Sequence, residues 1–294
     1  MFGFDQSTGE VIIFLDADDL LEPEVMEEVA NVWHSGVSKV QFRMNSINAD
    51  GTQLGTAFPP FPPTNDPEKL RRVYLRTMAY TTPPGTGNAY SRDFVRKAFS
   101  MAPSTLPSSD TVLLVLAPIL GDVLTIAKPL ARYRIHEGNT GGLGALRLRD
   151  TSGLWQRLRE DVEAARLFAT ASRRLHLPVP VDPLRRCLSH LQYRLSSYLL
   201  DPIAHPFPGD TTLNLVYRLV RSAIGYSQLR LRDRTILLAW GIACALAPQG
   251  HRWNLVLWRF DPTSRPAPIK ALLAIFSSLR STRLPGRAGS SRAA

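Results

Sequence analysis

The chain has 294 residues, 44% of them hydrophobic, and a formal net charge of +10 at pH 7. That is enough material for one large domain or two modest ones with a substantial core. Two cysteines, Cys187 and Cys244, exclude a disulfide framework, and their spacing offers no zinc site, so a reducing, cytoplasmic setting is expected. The N-terminus lacks a basic segment ahead of its apolar run, so no signal peptide is expected. The longest apolar run, Thr235 to Ala247, spans 13 residues, short of the ~20 that cross a bilayer as a helix.

The charge is uneven. Residues 1–150 hold 14 Lys+Arg against 17 Asp+Glu, whereas residues 151–294 hold 21 against 8, and 20 of those 21 are arginine. Such a basic half is a weak pointer to a phosphate-bearing surface, because a general bias from lysine to arginine explains it as well. Nucleic acid has only this charge in its favour and no recognisable module, so none is expected as a partner.

In chain order, Val11-Ile12-Ile13-Phe14-Leu15 reads as a strand buried on both faces, in a parallel sheet. Asp16, Asp18 and Asp19 follow at once, where ligands bind in open α/β sheets. Clustered carboxylates repel unless a cation neutralises them, and a hard divalent metal is the usual one. Capping of the next helix by Asp18 or Asp19 is the alternative, and it explains one aspartate better than three. Glu22 to Trp33 is expected as that helix, with Pro23 in its first turn. Ser38 to Asn45 alternates as a half-buried strand, and Gln53 to Ala57 returns after the turn at Asn48-Ala49-Asp50-Gly51. A proline-rich loop precedes a helix from Pro67 to Tyr80, and residues 82–88 are too rich in Gly and Pro for regular structure. Asn88 to Tyr90 is a short strand. Ser91 or Asp93 caps a helix to Ala98, and Ser109 or Asp110 caps an apolar helix to Leu120. Val123 to Ala127 and Leu130 to Ile135 are two further extended pieces. Residues 138–144 form a glycine-rich exit, with a domain boundary near 145–152.

The second half is helical. Leu154, Leu158, Val162, Ala165 and Ala169 share one helix face, as do Leu184, Leu188, Leu191, Leu195 and Leu199 in the next. Further helices are expected at 211–226, 229–247 and 266–280, with a disordered tail over 281–294. The reading divides the chain into an α/β part (1–145), a helical region (146–280) and that tail.

The α/β part resembles family 2 glycosyltransferases of the GT-A fold. The resemblance rests on Thr8-Gly9-Glu10-Val11-Ile12-Ile13-Phe14-Leu15-Asp16-Ala17-Asp18-Asp19 as the family's strand and DxD motif. It rests further on Gly87-Asn88-Ala89 followed by Arg92 for the acceptor side, and on Asp110 at the head of the acceptor-side helix. Tyr133-Arg134-Ile135-His136-Glu137-Gly138-Asn139 matches the signature that ends the catalytic domain. The implied fold is a partial, Rossmann-like GT-A domain followed by a helical region. The family's DxD lies after about three strands that bind the nucleotide; here it begins at residue 16, so the resemblance implies an N-terminally truncated domain with the Val11–Leu15 strand partly unpaired.

The implied reaction moves a sugar, with inversion, from a nucleotide-diphosphate donor to a saccharide or lipid-linked acceptor. By resemblance, Asp18 and His136 would hold Mn²⁺ or Mg²⁺, and Asp16 and Arg134 would meet the donor and its diphosphate. Gly87 and Asn88 would line the acceptor side, and Asp110 would be the base. For Arg134 an ordinary solvent-facing position is as good a reading, and for Asp110 a helix cap. Two rival readings stand beside this one. A haloacid dehalogenase-like phosphohydrolase would use Asp16 as nucleophile and Asp18 as acid/base. A non-catalytic remnant would act through its basic helical half, docking on a partner or on the inner face of a membrane.

Overall fold

The computed structural model describes residues 2–62, 66–102, 109–136, 151–225, 229, 231–261 and 264–270. In chain order the elements are α1 (Phe2–Gln6), β1 (Val11–Ile13), β2 (Leu20–Leu21), α2 (Val25–Val32), β3 (Val37–Ile47), β4 (Gln53–Phe58), α3 (Pro67–Thr77), a 3₁₀ turn (Gly85–Gly87), β5 (Asn88–Ser91), α4 (Arg92–Ser100), α5 (Ser109–Leu120) and β6 (Asp122–Arg134). The helical half adds α6 (Ser152–Arg174), a 3₁₀ turn (Pro183–Arg186), α7 (Leu188–Leu200), α8 (Thr212–Gly225), α9 (Leu231–Leu246) and α10 (Gln249–Phe260). The chain is thus mixed α/β with a long helical region behind it. The expected glycine-rich exit and the tail over 281–294 lie outside the described residues, as does most of the helix expected at 266–280.

β3 and β6 form the spine of the sheet, paired in parallel from Val37↔Asp122 to Ile47↔Arg134. The strand order is β1-β5-β3-β6-β2, with β4 also on β3, and every other pairing is antiparallel. Two expectations change places here. The run at 11–15 makes only a three-residue strand, which pairs antiparallel with β5 and, among the described residues, with nothing on its other edge. The alternating run from Ser38 is instead the most buried strand, because its polar side chains at Lys39 and Gln41 find partners in residues 80–82 and β6 rather than water. Val123 to Ala127 and Leu130 to Ile135 are one strand, continuous through register shifts against β3.

Helix ends follow local chemistry. Asp66 accepts a hydrogen bond from the Lys69 amide at 3.0 Å and Pro67 opens α3, which ends at Met78 in a left-handed conformation. Ser91 Oγ accepts from the Phe94 amide at 3.1 Å to cap α4, as expected. Neither Asp18 nor Asp19 caps α2: the helix starts at Val25, after Leu20–Leu21 has been drawn into the sheet beside β6. At the β3–β4 turn, Asn48 Oδ1 accepts from Thr52 N at 2.8 Å and Gly51 takes a positive φ of 85°.

The sheet is covered on both faces. Val25 and Val29 of α2 pack with Val40, Phe42, Met44 and Leu130 on one side. On the other, α3, α4 and α5 share a core with the C-terminal half of α6, where Phe168 meets the Tyr74 ring edge-on at 5.4 Å. The expected apolar face of α6 therefore holds for Leu154 and Leu158 and then turns. Beyond them Ala164, Leu167, Phe168 and Ala171 are buried, while Val162, Ala165 and Ala169 are half-buried. The reason is a change of neighbour, since Leu154 packs on Val256 and Phe260 of α10 while Phe168 reaches the α/β core. Leu184, Leu188, Leu191, Leu195 and Leu199 are all buried, as expected from their spacing. Helix α10 was not foreseen in the sequence; α8 and α9 were.

A buried polar knot closes the connection after α7. His205 bridges Ser197 Oγ and Asp210 Oδ2, both at 3.0 Å, and Arg194 also binds the Asp210 carboxylate. The residue types are those of a hydrolytic triad, but Ser197 is fully buried and accepts from Trp155 Nε1 at 3.2 Å, so the group is structural.

Candidate active site

The acidic residues leave β1 on a loop that the rest of the sheet grips from two sides. At its first residue, Asp16 N donates to Thr86 Oγ1 at 3.1 Å. At its last, Asp19 is buried and its Oδ1 accepts from Arg134 N at 2.9 Å, where β6 ends. Arg134 Nε donates to Asp18 O at 2.8 Å, and Nη1 donates to the carbonyls of Asn48 (3.1 Å) and Ala49 (2.7 Å). The guanidinium thus braces the acidic loop and the β3–β4 turn together, an arrangement that does not fit a simple solvent-facing arginine.

His136 lies two residues beyond β6, and its Nε2 is 2.7 Å from Asp18 Oδ2. Residues 118 apart in the chain are thereby in direct contact. That hydrogen bond is the main reason the Asp18 carboxyl is held below its ordinary pKa. The other acids move the opposite way. Loss of surrounding water raises Asp16, with the Asp110 and Asp18 charges adding to it and the Thr86 hydroxyl opposing. Asp19 is raised mainly by burial, and Asp110 by burial alone.

Asp110 stands in the first turn of α5 with its carboxyl beside Gly85: a Cβ added at Gly85 would meet Asp110 Oδ2 at 3.1 Å. The turn at 84–88 therefore separates the two acidic groups, touching Asp16 through Thr86 and Asp110 through Gly85. Its own shape depends on Asn88 and Gly87. Asn88 Nδ2 donates to Pro84 O (2.7 Å) and Gly85 O (3.1 Å) from a fully buried position. A Cβ at Gly87 would lie 2.6 Å from Pro83 Cβ and 2.9 Å from Met44 Sδ. Both residues shape the turn from beneath.

The structure so brings together Asp16, Asp18, His136, Asp110 and the 84–88 turn, with Arg134 behind them. Sequence reasoning missed Thr86 and the separate role of Asp19. A threonine inside a Gly/Pro-rich stretch carries no signal of its own, and Asp19 could be told from Asp18 only by burial. Among the described residues, no group of three or more His, Cys, Asp or Glu side chains is arranged to hold a metal ion.

Residues 1–99 match the sequence model of the family described as glycosyl transferase family 2. A protein of Nostoc sp. (strain PCC 7120 / SAG 25.82 / UTEX 2576), named as an uncharacterized glycosyltransferase, is 33% identical over 140 residues. That alignment takes in 47% of this chain and 43% of the Nostoc protein, so the chain spans less than half the length of this relative. Both similarities favour the glycosyltransferase over the phosphohydrolase reading of the same aspartates. The N-terminal third of the chain, with the β1 strand running into Asp16-Ala17-Asp18, is thus similar to glycosyl transferase family 2.

Proposed function

We propose that this site transfers a sugar, with inversion, from a nucleotide-diphosphate donor to a saccharide or lipid-linked acceptor. The observation that carries the reading is that one turn, 84–88, meets the acidic loop through Thr86 and Asp110 through Gly85. The same turn thus touches both acidic groups, and the Asp110 charge acts on Asp16. In the reaction the acceptor oxygen bonds to the anomeric carbon as the bond to the diphosphate oxygen breaks, and Asp110 takes the hydroxyl proton. Burial raises its pKa, which makes it a better base than a solvated aspartate.

Asp18 and His136 form a donor set, carboxylate oxygen and imidazole nitrogen, that fits Mn²⁺ at least as well as Mg²⁺. Such ions are commonly held by one or two protein ligands plus substrate phosphates, which agrees with a pair rather than a complete protein cage. A bound cation would supply charge stabilisation for the departing diphosphate. Asp16 faces the donor, and Arg134 keeps the loop in place through its carbonyls. The test is release of nucleoside diphosphate from a panel of uridine, guanosine and thymidine diphosphosugars with Mn²⁺, in the presence of candidate acceptors. Turnover that disappears in Asp18→Ala and in His136→Ala is the expected result. Turnover that survives Asp18→Ala removes the metal assignment.

A second reading concerns location. Among the described residues no helix is long and apolar enough to cross a membrane. Helix α8 nevertheless exposes Leu213, Tyr217 and Ile224 at helical spacing, with exposed Arg221 beside them. This amphipathic face supports peripheral contact with an anionic membrane surface on the cytoplasmic side. Flotation with anionic liposomes at low salt tests it, and absence of co-migration refutes it.

A further inference from the structure

Beneath the 84–88 turn lies a group of residues that the proposed chemistry does not use. Lys39, on the central strand β3, is fully buried, and its Nζ donates to Tyr80 Oη at 3.0 Å and to Thr82 Oγ1 at 2.8 Å. Gln41, two residues on and also buried, donates through Nε2 to Thr81 O at 3.0 Å and to Thr125 Oγ1 of β6 at 3.0 Å. Successive side chains on one face of the strand thus bind three consecutive residues of the segment leading into the turn.

Tyr80 carries the connection further. Its hydroxyl donates to Leu114 O at 2.9 Å, one helical turn beyond Asp110 on α5. That carbonyl is available because the residue four positions on is Pro118, which has no amide hydrogen to donate. Lys39, Tyr80 and α5 therefore form one chain of hydrogen bonds, joining the spine of the sheet to both the segment leading into the turn and the helix that bears Asp110. A lysine is an expensive residue to bury without a carboxylate, and its pKa is driven well below the ordinary value by burial. For tying down the loop alone, a smaller neutral donor would suffice.

We infer that Lys39 and Tyr80 are positioning residues that set the placement of Asp110 and of the 84–88 turn relative to the acidic loop. The inference deepens the glycosyltransferase reading, but its structural half stands apart from it. Hydrogen exchange is the test, on Lys39→Met and Tyr80→Phe, with Val29→Ala on the far side of the sheet as a control for general destabilisation. In either positioning variant, the amides of Asp16 (bound to Thr86 Oγ1) and Gly87 (bound to Pro84 O) are expected to exchange about tenfold faster, as for loss of one buried hydrogen bond. The β3–β6 ladder amides are expected to stay as protected as in the unmodified protein. Equal acceleration of turn and ladder, as Val29→Ala should give, overturns the inference, and so does unchanged exchange at Asp16 and Gly87. If Lys39→Met does not fold, Tyr80→Phe decides alone. In the transfer assay the same variants should lose kcat with the donor KM unchanged. If the unmodified chain shows no transfer, the functional reading falls while the exchange data still decide the positioning role.

Discussion

Gly85 and Gly87 sit two residues apart in one turn, and the structure predicts opposite consequences for a methyl group at each. At Gly87 an alanine Cβ would lie 2.6 and 2.7 Å from the Pro83 ring carbons and 2.9 Å from Met44 Sδ. The proline ring is rigid and Met44 is fully buried, so neither neighbour can yield cheaply. Overpacking of this kind costs about 1–3 kcal/mol. For a chain of this size that corresponds to a fall in Tm of roughly 2–12 °C. At Gly85 the only contact is the Asp110 carboxyl, with Oδ2 at 3.1 Å and the carboxyl carbon at 3.7 Å. That is the free end of a side chain, which can swing aside, so Gly85→Ala should change stability by less than about 0.5 kcal/mol. Its effect should fall on Asp110 and hence on transfer. Thermal and urea unfolding of the two variants, followed by transfer assays, measure both halves. A Gly87→Ala protein as stable as the parent, or a Gly85→Ala protein less stable than Gly87→Ala, would refute the packing argument and return Gly87 to a ligand-contacting role.

Other expectations follow from the electrostatics. Burial pushes the Cys187 thiol up to about 11 and the Cys244 thiol up to about 12, so neither should react with a thiol reagent at pH 8 until the chain is unfolded; rapid labelling of the native protein would contradict this. Burial pushes the Asp210 carboxyl up, but the bonds from His205 and Arg194 outweigh it and hold it below 3.8. A lowered folded pKa means stability that is complete above the unfolded value and lost as pH falls through the folded one. Urea midpoints should therefore drop on acidification below pH ~4, and Asp210→Asn should flatten that limb while lowering stability at pH 7. Asp16 and Asp110 have the opposite shift, so their ionisation on raising pH opposes folding and a divalent cation should relieve it. Thermal shift with Mn²⁺ should accordingly shrink as pH is lowered and protons compete for these carboxyls; an unchanged or reversed trend would argue against a cation at this site.

The resemblance to the family was legible in the sequence, because short motifs record chemistry directly: three acids after an apolar strand, a Gly-Asn turn, an Arg-x-His ending. The apolar face of 184–199 and the existence of α8 and α9 were legible too, since one neighbour on one side imposes one period. What the sequence by itself could not decide was which strand would be central. The apolar run at 11–15 reads as core, yet β1 is a short edge strand, whereas Lys39 and Gln41 give β3 the look of a half-exposed strand. Only the tertiary structure supplies Tyr80, Thr81 and Thr82 as partners for those polar side chains, and with partners they are buried. The same holds for Thr86, for Asp19 against Asp18, and for the turn in the buried face of α6. Hydrophobicity patterns register how much water a residue prefers to lose, whereas burial of a polar group depends on a hydrogen-bond partner brought from elsewhere in the chain. That partner is decided by the fold.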